Sequence, residues 1–280
     1  MKDESSITAT AEAIATRSRN VDWYYKDLPD VYPAARELLE QYSGIPPADV
    51  KEHIIGIREK AWDIFPYPCV GGFRFLDSTL STLPQYPEVL SRVKSGSKLL
   101  DLGCFFGQEL RKLIYDGAPS EALYGTDLRP EFFELGYKLF RDRGRNQATF
   151  FAADIFAPSP QLDALRGTLD VIYAGAFFHL FDRPQQLQIA HRVVGLLAPR
   201  PGSLMLGRQV RQLEPGSYEH LTDSGGWVYR HNEQSWRELW EEVGRETGST
   251  WEVSVDLYEI SGGENPADTI RLMHFCVRRK

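Results

Sequence analysis

The chain has 280 residues, 42% of them hydrophobic and 25% charged, and carries a formal net charge of −7. Those proportions exclude a disordered chain and allow one large globular domain or two small ones. The acidic balance, with no Lys/Arg block, excludes phosphate-backbone binding as the main task, so a small molecule rather than nucleic acid is the expected partner.

The amino terminus, Met1 to Ser6, is polar and acidic, which does not match a signal peptide. Up to about Ser95 the pattern is helical and irregular. Val31–Ser43 and Asp49–Phe65 carry apolar residues at three- and four-residue steps, and Pro46-Pro47 is placed to open the second helix. The stretch from Pro66 to Arg74, with two prolines and paired Gly71-Gly72, predicts a structured loop. From Lys98 strands and helices alternate. Lys98–Leu102 is a strand, Gly107–Tyr115 a helix, Leu123–Asp127 a strand, and Glu131–Arg143 a helix stopped by Gly144. Thr149–Ala153 and Asp170–Ala174 are strands, Pro184 opens a helix to Leu197, and Ser203–Gln209 is a strand. Asn232 caps a helix through Glu246 with Gly248 after it, and Trp251–Tyr258 and Ile270–Val277 are closing strands.

Single helices between strands imply parallel pairing through right-handed crossovers. The predicted fold is therefore α/β, a Rossmann-like doubly wound sheet. It is mostly parallel, with one antiparallel strand near the C-terminus because no helix separates the last two strands. Residues 1–92 are expected to form an N-terminal helical cap and residues 93–280 the core. The longest apolar stretch, Leu169 to Phe181, is interrupted by Asp170 and His179 and is too short for stable membrane insertion. Cys69, Cys104 and Cys276 form no closely spaced pair, so no disulfide framework or zinc site is expected, and a reducing, cytoplasmic location fits. No metal site is expected from the scattered histidines.

In such a sheet ligands bind beyond the carboxyl ends of the strands. The first end, Leu99-Leu100-Asp101-Leu102-Gly103-Cys104-Phe105-Phe106-Gly107, has glycines at G-x-x-x-G spacing that let the backbone turn and a ligand approach. A dinucleotide fingerprint needs a further glycine where Phe105 stands, which disfavours a nicotinamide dehydrogenase. Asp101 at the strand end repels phosphate but can hold an ammonium group. Asp127, twenty residues beyond Gly107, is placed to accept hydrogen bonds from ribose hydroxyls. Asp154 can accept from an exocyclic adenine amine, and Ile155 or Phe156 can cover a base. Asp127 and Asp154 also have a plainer reading, the capping of local backbone.

These motifs resemble the consecutive cofactor motifs of class I S-adenosylmethionine-dependent methyltransferases, over roughly Val93 to the C-terminus. The resemblance implies S-adenosylmethionine as cofactor. Asp101, Gly103 and Gly107 would surround its methionine part, Asp127 its ribose, and Asp154 and Ile155 its adenine. Cys104, Leu128 and Ala174 complete the expected cofactor-binding set. More narrowly, Tyr67-Pro68-Cys69, Phe73-Arg74-Phe75-Leu76, Asp116-Gly117-Ala118-Pro119, Asp127-Leu128-Arg129-Pro130-Glu131, Arg208-Gln209-Val210 and Trp240-Glu241-Glu242-Val243-Gly244 resemble fungal meroterpenoid-pathway methyltransferases. That likeness implies an O-methyltransferase esterifying the carboxylate of a farnesylated aromatic polyketide acid.

A carboxylic acid is already ionised at pH 7, whereas a phenol needs a base. His179, just after the fourth strand, is the candidate catalytic residue, as a base for a phenol or as an orienting donor for a carboxylate; its plainer reading is structural. Arg74, Arg208 and Arg230 are candidates to bind a carboxylate. Tyr67 and Trp227 join Arg74 and Arg208 in the expected substrate-binding set. Trp23, Tyr24, Tyr25 and Tyr67 suit either an apolar lid or helix packing, and Leu213–Arg230 is expected to be a flap. The alternatives are a phenol O-methyltransferase and a non-catalytic cofactor-binding partner protein. A homodimer is compatible with all three.

Overall fold

The four residues of Leu99–Leu102 (β1) are all buried, as a strand covered on both faces must be. The computed structural model describes residues 16–31, 33–220, 226–260 and 270–280. The further strands are β2 (Leu123–Asp127), β3 (Thr149–Ala152), β4 (Val171–Gly175), β5 (Leu204–Val210), β6 (Gly216–Glu219), β7 (Trp227–Arg230), β8 (Trp251–Ile260) and β9 (Ile270–Arg279). Seven of them form one sheet in the order β3-β2-β1-β4-β5-β9-β8, and β6 and β7 form a separate antiparallel hairpin. β1 to β5 pair in parallel, while β9 runs antiparallel to both β5 and β8. The expected doubly wound sheet with one reversed strand is therefore present, and its order reverses between β1 and β4.

The helices are α1 (Pro33–Glu37), α2 (Val50–Ile64), α3 (Pro68–Gly71), α4 (Tyr86–Lys94), α5 (Gln108–Tyr115), α6 (Glu131–Phe140), α7 (Pro160–Ala164), α8 (Arg183–Leu196) and α9 (Glu233–Thr247). Successive strand residues point to opposite faces, and the core divides accordingly. Leu100, Ile172, Met205 and Phe275 pack with Ile189 and Val193 of α8 and Trp236 and Trp240 of α9. Leu99, Val171, Leu204 and Cys276 pack on the other face with Val89 and Val93 of α4 and Leu110 and Leu113 of α5. A third cluster joins Leu38, Ile54, Trp62 and Phe73 of the N-terminal segment to Phe106 and to Phe132 and Leu139 of α6.

Local differences from the expected boundaries have physical causes. Pro46 and Pro47 precede α2 by a turn, since the helix begins only at Val50. α6 stops at Phe140 rather than Arg143 because Arg141, at φ 49°, turns the chain into the left-handed region. Asp142 is thereby fully buried instead of lying on a helix surface. The loop after Pro66 contains α3 and a 3-10 turn, Arg74–Leu76. α8 and α9 each begin with reciprocal capping bonds, Asp182 with Gln185 and Asn232 with Ser235. Among the described residues no helix is long and apolar enough to cross a membrane.

Candidate active site

The chain leaves β1 through Gly103, Phe105 and Gly107, all at positive φ. The Gly103 and Cys104 N–H groups donate to the Thr126 carbonyl at 2.9 and 3.0 Å, which ties this turn to the end of β2. Each of the two glycines lies against one of the protein's own aromatic rings. A Cβ on Gly103 would lie 2.6 Å from the Phe177 ring, and one on Gly107 2.5 Å from Phe150. They make room for the protein's own aromatic side chains. From α5, Arg111 Nη1 donates to the Phe106 carbonyl at 2.6 Å and holds the turn from below. The same guanidinium makes a two-pronged ion pair with Asp142, Nε to Oδ2 at 2.8 Å and Nη2 to Oδ1 at 3.0 Å. Asp142 Oδ2 also accepts from the Tyr42 hydroxyl at 2.8 Å and from Asn146 at 2.9 Å.

Three carboxylates stand at the strand ends as expected, in three different environments. Asp101 is 2% exposed, and its Oδ2 has no hydrogen-bond partner among the described residues. Burial, then the neighbouring Glu109 and Asp127, hold its carboxyl well above the usual range. Asp127 Oδ2 accepts the Phe105 N–H at 2.9 Å and Oδ1 accepts the Arg129 N–H at 3.2 Å. Asp154 Oδ1 accepts the Phe156 N–H at 2.9 Å. Both therefore organise local backbone, and each oxygen keeps lone-pair capacity for a ligand hydroxyl or amine.

Ile155 and Ala174 are core residues rather than rim residues, while Leu128 is 61% exposed at the mouth of the turn. Cys104 is buried beside Gly125. Phe156 meets Phe181 edge-on at 5.3 Å, and Phe181 meets Phe177 at 5.1 Å, giving an aromatic wall from Gly103 to the end of β3. An unpaired buried carboxyl oxygen, a backbone-anchored aspartate at the second strand end and an aromatic wall fit an ammonium-bearing nucleoside such as S-adenosylmethionine.

The far half of the rim is cationic. After β4 the chain turns at Ala176, φ 55°, whose N–H donates to the Arg208 carbonyl at 2.7 Å, and a 3-10 turn, Phe178–Leu180, presents His179. His179 Nδ1 accepts the Val210 N–H at 3.5 Å, which assigns the remaining ring proton to Nε2. Burial, followed by the charges of Arg230, Arg208, His220 and Arg74, pulls its pKa down to about 3. The imidazole is neutral at pH 7, with its hydrogen on Nε2.

Arg74 reaches this group from the N-terminal segment. α3 packs so closely that a Cβ on Gly71 would stand 2.4 Å from the Trp23 carbonyl oxygen, and Phe73 at φ 56° turns the chain into the arginine. Asp77 Oδ2 lies 3.6 Å from Arg74 Nε and 3.3 Å from Arg208 Nη1.

Other expected site residues fall elsewhere. Tyr67 packs against the Phe65 ring at 4.2 Å, and Arg129 lies over the same ring at 4.6 Å, so Tyr67 stands near Asp127 on the cofactor side. Trp227 is 56% exposed and projects from the hairpin face opposite Arg230, by the alternation of β7. Trp23 packs with the N-terminal cluster, and Tyr24 packs edge-on against Trp62 and donates to Glu59 at 2.7 Å, so these two serve helix packing. In the stretch expected as a flap, Leu213–Arg230, β6 pairs with β7, and residues 221–225 lie outside the described residues. Sequence reasoning missed Asp77, His220 and Arg129. Only Arg129, in Asp127-Leu128-Arg129, carried a local signal. No group of three His, Cys, Asp or Glu side chains among the described residues gathers as a metal site.

Known proteins share these features. Residues 23–76 match the meroterpenoid methyltransferase N-terminal domain, and residues 99–200 match a methyltransferase domain. The chain is 46% identical over 281 aligned positions, 93% of each chain, to the O-methyltransferase phiE of a fungal species (strain ATCC 74256). It is 44% identical over 234 residues to the asnovolin E/chermesin D methyltransferase nvfJ of Aspergillus novofumigatus, covering 81% of this chain and 84% of that one. The Burkholderia thailandensis 1,6-didemethyltoxoflavin-N1-methyltransferase shares the fold, with a TM-score of 0.50 at 13% identity over 91% of this chain and 93% of that one.

Proposed function

The chain belongs to the S-adenosylmethionine-dependent O-methyltransferases of fungal secondary metabolism, and on that premise we propose that it esterifies the carboxylate of a prenylated aromatic acid. The observation that carries this reading is His179, neutral, with Nδ1 already accepting a backbone N–H, set among Arg74, Arg208 and Arg230. A phenol with a pKa near ~10 must lose a proton to become a nucleophile. An imidazole whose Nε2 carries a hydrogen and whose Nδ1 is engaged does not take it. A carboxylate is ionised beforehand and needs only to be bound and aimed. His179 Nε2–H and the arginines supply donors for that purpose.

S-adenosylmethionine, when bound, supplies an electrophilic methyl group on a sulfonium. Asp101 would hold its ammonium, Asp127 its ribose hydroxyls, and Asp154 with Phe156 its adenine. The chain's task is then alignment, which is worth about 7–11 kcal/mol in well-oriented reactions, and exclusion of water. The N-terminal segment up to residue 92 takes part by carrying Arg74 to the acceptor. Leu180 and Leu213, both exposed near the turn that carries His179 and the end of β5, suit a prenyl chain. The cysteine pattern supports a cytosolic enzyme, and a homodimer fits this reading as well as a monomer does.

The test is methyl incorporation with paired acids and phenols, read by mass spectrometry before and after mild alkali. Expected is a product that alkali hydrolyses. A base-stable ether as the main product would refute the carboxyl reading.

A further inference from the structure

The cations around His179 are not equivalent. One carboxylate, Asp77, stands between Arg74 and Arg208 at 3.6 and 3.3 Å. Those two guanidinium groups are partly neutralised within the fold. Arg230 has no acidic partner among the described residues. The Tyr218 ring lies 5.2 Å from its guanidinium carbon, and its Nε is closed off from solvent with no hydrogen-bond partner among the described residues. Burial pulls its pKa below the ordinary value, and no acidic side chain among the described residues offsets that cost. A guanidinium in this condition is destabilising unless an anion arrives to meet it.

The backbone fixes where Arg230 sits. The Tyr229 N–H donates to the Phe181 carbonyl at 2.8 Å, which joins β7 to the turn carrying His179. The Gln186 side-chain amide donates to the Phe181 and Tyr229 carbonyls at 2.9 and 2.8 Å and locks the same junction. Arg230 follows directly, on the hairpin face it shares with the buried Val228.

We propose that Arg230 is the specificity-determining residue of the acceptor site. Its guanidinium, rather than the Asp77-bound pair, clamps the acceptor carboxylate, and acceptors with a neutral group in that place are rejected. The assignment rests on the carboxyl reading above and adds which residue enforces it.

The experiment uses the full chain with 3-farnesyl-2,4-dihydroxybenzoate as acceptor and the matching carboxamide as competitive inhibitor. The wild type should bind the acid more tightly than the carboxamide. In Arg230→Gln the KM for the acid should rise about 10- to 100-fold, the span of a lost charge-assisted hydrogen bond, while the carboxamide Ki stays the same. S-adenosylhomocysteine affinity should be unchanged, and Arg230→Lys should recover part of the loss. Where the glutamine variant fails to bind S-adenosylhomocysteine, Arg230→Lys alone decides, by a raised acid KM against an unchanged carboxamide Ki. An acid KM within about twofold of wild type, or equal losses for acid and carboxamide, overturns the assignment. A wild type that makes no ester from this acid removes the carboxyl reading, and the assignment falls with it.

Discussion

Replacing Asp142 with alanine should unfold the protein more readily and loosen its grip on the cofactor at the same time. Asp142 and Arg111 are 0% and 1% exposed at the side chain, and the carboxylate receives four donors from Arg111, Tyr42 and Asn146. Removing one member of a buried pair leaves an uncompensated charge and costs about 3–5 kcal/mol. At roughly 2–4 °C per kcal/mol for a chain of this size class, the melting temperature should fall by about 6 to 20 °C. Urea unfolding with linear extrapolation measures the loss directly. Arg111→Met with Asp142→Ala should be less destabilising than the two single losses added, by on the order of 2 kcal/mol, because the double variant buries no lone charge. Calorimetric titration with S-adenosylhomocysteine should show weaker binding for both single variants, since Arg111 also holds the Phe106 carbonyl. A loss below about 1 kcal/mol, or strict additivity in the cycle, would refute the claim that this pair fastens the turn.

Three further outcomes follow from the titratable groups. Asp101 carries a proton well above the usual carboxylate range, so an arriving ammonium group should displace it. Affinity for S-adenosylhomocysteine should increase with pH, with proton release seen as a buffer-dependent heat, and Asp101→Asn should lose both; a buffer-independent heat in the wild type would count against this. His179, at about 3, does not titrate between pH 5.5 and 8, so kcat on an acid acceptor should show no His179 ionisation in that window. A limb near pH 6.5 that disappears in His179→Asn would contradict the donor role. Glu109, buried at the Thr79 and Leu80 N–H groups, is pushed up to about 8. Its folded form holds a proton that the unfolded form releases, so its stabilisation is complete below the ordinary glutamate value and is lost as pH rises through about 8. The thermal midpoint should fall over that range, and Glu109→Gln should flatten the fall; identical slopes would exclude Glu109 as the cause.

The row of Asp101, Asp127 and Asp154 was legible because strand ends follow from apolar runs, and the reversed strand because no helix separates the last two. What the two glycines accommodate was not legible. Glycine announces a missing Cβ but not whether a ligand or a ring such as Phe177 or Phe150 fills the space. The Arg111–Asp142 pair spans 31 residues and depends on Arg141 taking a left-handed turn, which no local pattern announces. Trp227 and Arg230 look alike in a glycine-rich stretch. Only the pairing of β6 with β7 assigns them to opposite faces.

Because β9 runs against its neighbours, its first residues, not its last, arrive at the ligand rim, with His274 opposite Arg208. It is also interior, between β5 and β8. During synthesis residues 270–279 are the last of the sheet to leave the ribosome. The acceptor half has to wait for them. A nonsense codon just before Ile270 would therefore do more than trim an edge. It would detach β8 from the sheet and leave no finished place for the acceptor.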